Sequence, residues 1–285
     1  MRFFEQGQGA PLVFIPGLQG RWEYTRRTVD AVAQDFRVLT FSLGDEPAAD
    51  FPFEPERGFD SYADQVAAVL DAAQVQRAVI CGISFGGLVA LRFAARHPER
   101  VEALVLASTP GGPGWRLRAR HDFYARWPKV FGLVFMFEIP FRARRELTAA
   151  LPERAARRAF TRTILRTVVV APISPTRMAR RARLIASYDV VTDCARISVP
   201  TLVVTGEAEL DHVVSVHGSS RYSELIAGAV RSVLPRTGHQ GTLTHADAFA
   251  ATVREFAARQ SNASVRHARG DRTETPGGRW RDADA

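Results

Sequence analysis

At 285 residues, with 46% hydrophobic and 24% charged content, the chain can build one large domain or two small ones and has an ordinary globular composition. No run reaches the roughly 18 apolar residues that span a bilayer; the nearest, at 130–140, is interrupted by Glu138 and Pro140. The formal charge of +8 is nearly all arginine and is concentrated, with 18 basic and 6 acidic residues between Gly111 and Arg196.

The N-terminal MRFFEQGQGA has no apolar segment of signal-peptide length and no small-residue cleavage site. Cys81 lies in an apolar strand-like run and Cys194 in a helix-rich region, so no disulfide framework is expected. These features lead us to expect a soluble cytoplasmic protein with no membrane span.

In chain order, near-continuous hydrophobic runs occur at 12–16, 37–41, 78–82, 103–108 and 201–206, with a shorter one at 231–234. Continuous rather than alternating hydrophobicity marks strands covered on both faces, as in a parallel sheet. Helical patterns fall between them, at about 23–34, 61–73, 85–96 and 244–258. In the last, Phe249, Val253 and Phe256 share one stripe. This alternation predicts an α/β fold, a doubly wound, mostly parallel sheet with helices on both faces.

Residues 112–196 break the rhythm. Pro128, Pro140, Pro152, Pro172 and Pro175 cut this arginine-rich stretch into short helices with no clear strand, so it reads as a helical insertion over the ends of the sheet. The remaining core is then 1–111 and 197–260. From 261 to 285 apolar periodicity is gone, which predicts a disordered tail. The basic insertion suits nucleic acid in principle. No nucleic-acid motif accompanies it, and arginines on exposed helix faces give the same count, so no nucleic-acid partner is expected.

The chemistry starts at Gly82-Ile83-Ser84-Phe85-Gly86, which joins a buried strand to a helix. A G-x-S-x-G sequence in that context is a nucleophile elbow that lifts the serine hydroxyl above the sheet. The helix beginning just beyond Ser84 turns free N–H groups toward a developing oxyanion, that of Phe85 first. Alone the motif is weak, and Ser84 could simply cap a helix; its place between the right strand and helix strengthens it.

Serine needs a base. Of seven histidines, His239 in the Gly-flanked loop PRTGHQG lies between the last strand and the last helix, where it can reach over the strand ends. His97 ends a helix and reads as structural. His121, His245 and His267 lie in the insertion, the last helix and the tail, while His212 and His217 lie close to the acid segment. The acid should follow the strand at 201–206, where Glu207, Glu209 and Asp211 are available. We take Asp211, with Glu209 as the alternative. A second oxyanion donor should come from the loop after an early strand, IPGLQGRWE, with the Leu18 N–H as candidate. No motif calls for a metal or a cofactor.

Together these segments resemble the α/β-hydrolase superfamily over about residues 3–258. PGLQG is similar to the family's His-Gly oxyanion motif, with Pro16 where histidine is frequent, and VICGISFGG to its elbow. TLVVTGEAELDHVV is similar to its acid segment, with Ser215 in place of a frequent proline, and LPRTGHQG to its histidine loop. The resemblance implies that Ser84, Asp211 and His239 form a catalytic triad and that 112–196 is a lid. Serine at position 84 argues against the dehalogenase and epoxide-hydrolase branches, which use aspartate there. Ester, lactone, perhydrolase and carbon–carbon bond chemistry all stay open.

Trp127, Phe131 and Phe135 in the insertion favour a small or medium apolar acyl substrate, although ordinary helix packing explains such aromatics equally well. The competing class is a small-molecule binding or receptor protein on a hydrolase scaffold with little turnover.

Overall fold

A computed structural model describes residues 1–111, 122, 123, 126–128 and 141–270, the last ten as backbone. Seven strands form one sheet: β1 (Phe4–Gln6), β2 (Ala10–Ile15), β3 (Phe36–Thr40), β4 (Ala78–Ile83), β5 (Val101–Ala107), β6 (Thr201–Thr205) and β7 (Val230–Val233). Their order is β1-β3-β2-β4-β5-β6-β7, and every pairing is parallel except β1 with β3. The six expected strands are present. β1 was not legible, because a three-residue edge strand with half-exposed side chains has no hydrophobic run to show.

The hydrophobic runs are continuous because successive residues bury on opposite faces of the sheet. Leu12 and Phe14 join one cluster and Val13 and Ile15 the other, all fully buried. One face is covered by α2 (Phe59–Ala72) and α3 (Phe85–Arg96), which bring Val66, Val69, Leu88 and Leu91 into the core. The other is covered by α1 (Arg26–Val32) and the last helix, Ala246–Gly270, through Val29, Val32, Phe249, Val253 and Phe256. The first helical segment opens with a 3-10 turn at Trp22–Thr25, and the last helix runs ten residues past the boundary expected at 260. Residues 271–285 lie outside the described residues.

Chain order reverses between β2 and β4. In an open parallel sheet such a switch point leaves a crevice at the carboxyl ends of the strands, where ligands bind. The loop after β2 and the turn after β4 therefore flank that crevice.

The described part of 112–196 is helical: α4 over 141–150, then α5 (Arg154–Val170), α6 (Pro175–Ser187) and α7 (Val190–Cys194). Pro152 and Pro172 sit in the breaks, and Pro175 opens α6 behind Ser174, whose Oγ accepts the Arg177 N–H at 3.3 Å. Residues 112–121, 124–125 and 129–140 lie outside the described residues. The insertion returns to the body at a buried polar joint, where Asp193 accepts from Arg92 at 2.9 Å and from the Tyr188 hydroxyl. The Tyr188 ring packs on Phe59 with centroids 4.4 Å apart. Cys81 and Cys194 are free and buried. Among the described residues no helix is long and apolar enough to cross a membrane.

Candidate active site

β4 ends by donating the Ser84 N–H to Ala107 O at 2.8 Å, which extends the ladder with β5 by one bond. Ser84 then takes φ 54° and ψ −121°, and α3 begins at the next residue. A non-glycine side chain in this left-handed region is strained, and such strain persists only where the surroundings hold it. They do so by close packing. A Cβ on Gly82 would lie 2.1 Å from Gly86 O, and one on Gly86 would lie 2.3 Å from Ile15 O. Ser84 is held between β2 and β5 with only 9% of its surface exposed. The first amides of α3, that of Phe85 among them, have no carbonyl partner within the helix.

The loop after β2 passes close to this serine: a Cβ on Gly17 would stand 3.5 Å from Ser84 Cβ. The Gly20 N–H donates to Gly17 O at 2.9 Å, which fixes the plane of the Gly17–Leu18 peptide. Because that peptide is trans, its Leu18 N–H points away from the bonded carbonyl. The next peptide is fixed too, since Arg181 Nη1 donates to Leu18 O at 2.8 Å.

Asp211 and His239 meet beyond the carboxyl ends of β6 and β7. The Nδ1 of His239 is 3.5 Å from Asp211 Oδ2 and has no nearer partner among the described residues. Asp211 Oδ1 accepts the N–H groups of Val213 and Val214 at 2.9 and 2.8 Å, leaving the second oxygen to the imidazole. Glycine lets the histidine loop lie against the acid loop, for a Cβ on Gly238 would stand 2.4 Å from Leu210 O. The alternative acid, Glu209, is exposed, and Glu207 accepts the Arg236 N–H at 2.8 Å.

Burial works against ionisation of Asp211, but the imidazole and the two backbone amides outweigh it and hold the carboxyl below its usual range. Burial likewise disfavours a charged His239, yet Asp211 and then Glu146 raise its pKa above the ordinary value of 6.5. The pairing thus stabilises the imidazolium beside the carboxylate relative to a free histidine.

Besides Asp193 at the joint described above, two buried charged residues of the insertion, Arg181 and Glu146, were not singled out from the sequence. Arg181 of α6 is wholly buried and reaches Asp45 at 2.5 Å, Glu46 at 2.6 Å and Leu18 O. Counting the insertion's arginines as exposed helix faces is therefore wrong for this one. Its partners lie 135 to 163 residues away in sequence, and no local pattern marks it. Glu146 of α4 is 3% exposed and accepts N–H groups from the histidine loop. An acidic residue in a basic helix was the only available signal.

Trp127 is 58% exposed, and Phe131 and Phe135 lie outside the described residues. His97 caps the end of α3, as expected, whereas His217 is exposed and His212 half-buried.

The model of the α/β-hydrolase fold family matches residues 10–246. A 2-hydroxymuconate semialdehyde hydrolase from Pseudomonas sp. (strain CF600) is 27% identical over 92% of this chain and 91% of its own. A pimeloyl-[acyl-carrier protein] methyl ester esterase from Vibrio campbellii is 25% identical over 88% of this chain and 96% of its own. Among solved structures, the enol-lactonase from Burkholderia xenovorans LB400 superposes with a TM-score of 0.71 at 23% identity, covering 90% of this chain and 96% of that one.

Proposed function

The chain belongs to the α/β-hydrolase fold family and is a hydrolase, and we propose that it is a serine hydrolase in which Ser84, His239 and Asp211 act together. The carrying observation is the strained Ser84 at the end of β4, combined with a buried carboxylate beside a half-buried imidazole beyond β6 and β7. Ser84 Oγ attacks the substrate carbonyl carbon while His239 Nε2 takes the hydroxyl proton. The carbonyl π pair moves onto oxygen, and the N–H groups of Phe85 and Leu18 stabilise that oxyanion. Collapse of the tetrahedral adduct expels the leaving group, which takes the proton from His239. A water then attacks the acyl-serine, giving a proton to His239, and collapse of that second adduct releases the acid as His239 returns the proton to Ser84 Oγ.

The substrate we favour is a small or medium apolar carboxylic ester or related acyl compound, held by insertion aromatics including Trp127, Phe131 and Phe135. The semialdehyde hydrolase relative supports a second reading. In that reading the substrate has no ester bond, and the bond hydrolysed is a carbon–carbon bond next to a carbonyl. Treatment with a fluorophosphonate, then a panel of esters, lactones, thioesters and vinylogous 1,5-diketones, tests both readings. Ser84→Ala should abolish labelling and turnover with the fold intact. Undiminished labelling of that variant on another serine would refute the assignment, as would binding without turnover across the whole panel.

A further inference from the structure

Glu146 is a carboxylate that the proposed chemistry does not use, yet it is bonded to the loop that carries His239. It is carried by α4 of the insertion, not by the core that supplies Ser84, Asp211 and His239. One oxygen, Oε1, accepts the Gly238 N–H at 2.9 Å and the Gln240 N–H at 2.6 Å, the amides on either side of His239. From the core side the same loop is tied down by the Glu207 N–H, which donates to Thr237 O at 2.7 Å. α4 also touches the acid loop, where Arg142 Nη2 donates to His212 O at 3.4 Å. One insertion helix thus grips the segments that carry both His239 and Asp211.

Building on the serine-hydrolase reading, we propose that Glu146 is a positioning residue for the base, holding the backbone on both sides of His239 so that the seating of the insertion sets the aim of the imidazole. Hydrogen bonds to an ionised acceptor are roughly twice as strong as neutral ones, and here two converge on one buried oxygen. Two charged groups of the core act on the carboxylate, His239 and Asp211. Burial raises the pKa of Glu146, the two amides and His239 lower it, and Asp211 raises it, leaving it above the ordinary carboxylate value. Its negative charge in turn favours the imidazolium form of His239. An anchor of purely structural effect changes stability alone; a positioning carboxylate also changes how fast, and at what pH, Ser84 reacts.

The test is the rate of fluorophosphonate labelling of the full chain against pH, with folding checked by circular dichroism. Glu146→Ala removes both hydrogen bonds and should slow labelling about tenfold or more, since a small misplacement of a catalytic group costs rate steeply. Glu146→Gln keeps an acceptor oxygen but loses the charge. Its plateau should stay within about threefold, while the acid limb moves about half a pH unit or more to lower pH, because a nearby anion no longer favours the imidazolium. Unchanged rate and limb in Glu146→Ala would overturn the inference; if that variant does not fold, an unmoved limb in Glu146→Gln does so. His239→Ala separates the two levels. Loss of labelling there with an unaffected Glu146→Ala refutes only the positioning role, whereas labelling at the parental rate refutes the triad reading and this inference with it.

Discussion

Replacing Asp211 by asparagine changes almost no volume, and the geometry around it says what the amide must do. Val213 and Val214 aim two backbone N–H groups at Oδ1. An asparagine can satisfy them only with its carbonyl oxygen, because its NH₂ group would set donor against donors inside a buried site. That choice turns the NH₂ toward His239 Nδ1. The imidazole must then accept at Nδ1 and carry its proton on Nε2, the nitrogen that should receive the proton of Ser84. The two valine amides thus lock in the wrong tautomer.

The loss of both base and charge should lower turnover by on the order of 10²–10⁴, about 2.7–5.5 kcal/mol of transition-state stabilisation. Turnover of p-nitrophenyl acetate by the two folded proteins measures it. The exposed Glu209, changed to glutamine, should lose less than about tenfold, roughly 1.4 kcal/mol. Turnover of Asp211→Asn within about threefold of the parent would refute the tautomer argument. A severe loss in Glu209→Gln instead would move the acid to that residue.

The pH dependence of turnover follows from His239. The base works only when neutral, and its pKa is raised by Asp211 and Glu146 against the effect of burial. Activity should therefore fall as pH drops through a midpoint above 6.5; a midpoint below that value in a kcat/KM profile would contradict the pairing. Arg181→Met fills similar volume but leaves Asp45 and Glu46, 2% and 1% exposed, without their shared guanidinium. Breaking such a buried pair should cost about 3–5 kcal/mol, read by urea unfolding, and Arg177, 3.0 Å from Glu46, offsets only part of it. A loss under about 1 kcal/mol would mean that the two carboxylates take up protons or water instead.

Much of this molecule was legible in the one-dimensional pattern. Strands buried on both faces are apolar almost throughout, so β2 to β6 announced themselves, and the helices between them dictated a parallel sheet. The elbow was legible because its constraint is local: a strained serine between strand and helix needs small neighbours at fixed offsets, Gly82 and Gly86. His239 could be chosen, and the acid narrowed to the segment holding Glu207, Glu209 and Asp211, because both follow particular strands, and position along an ordered sheet translates into position in space.

What the chain order could not reveal were contacts between segments far apart in sequence. Asp211 stood apart from Glu209 only once folding buried one beside His239 and left the other exposed. Arg181 and Glu146 looked like two more charges in a basic insertion. A charged side chain becomes a buried anchor only through the partners that compensate its desolvation, here Asp45 and Glu46 for Arg181 and the two amides beside His239 for Glu146. Those partners lie 92 to 136 residues away, so only the tertiary structure, bringing insertion and core together, could decide which charges of the insertion reach the site.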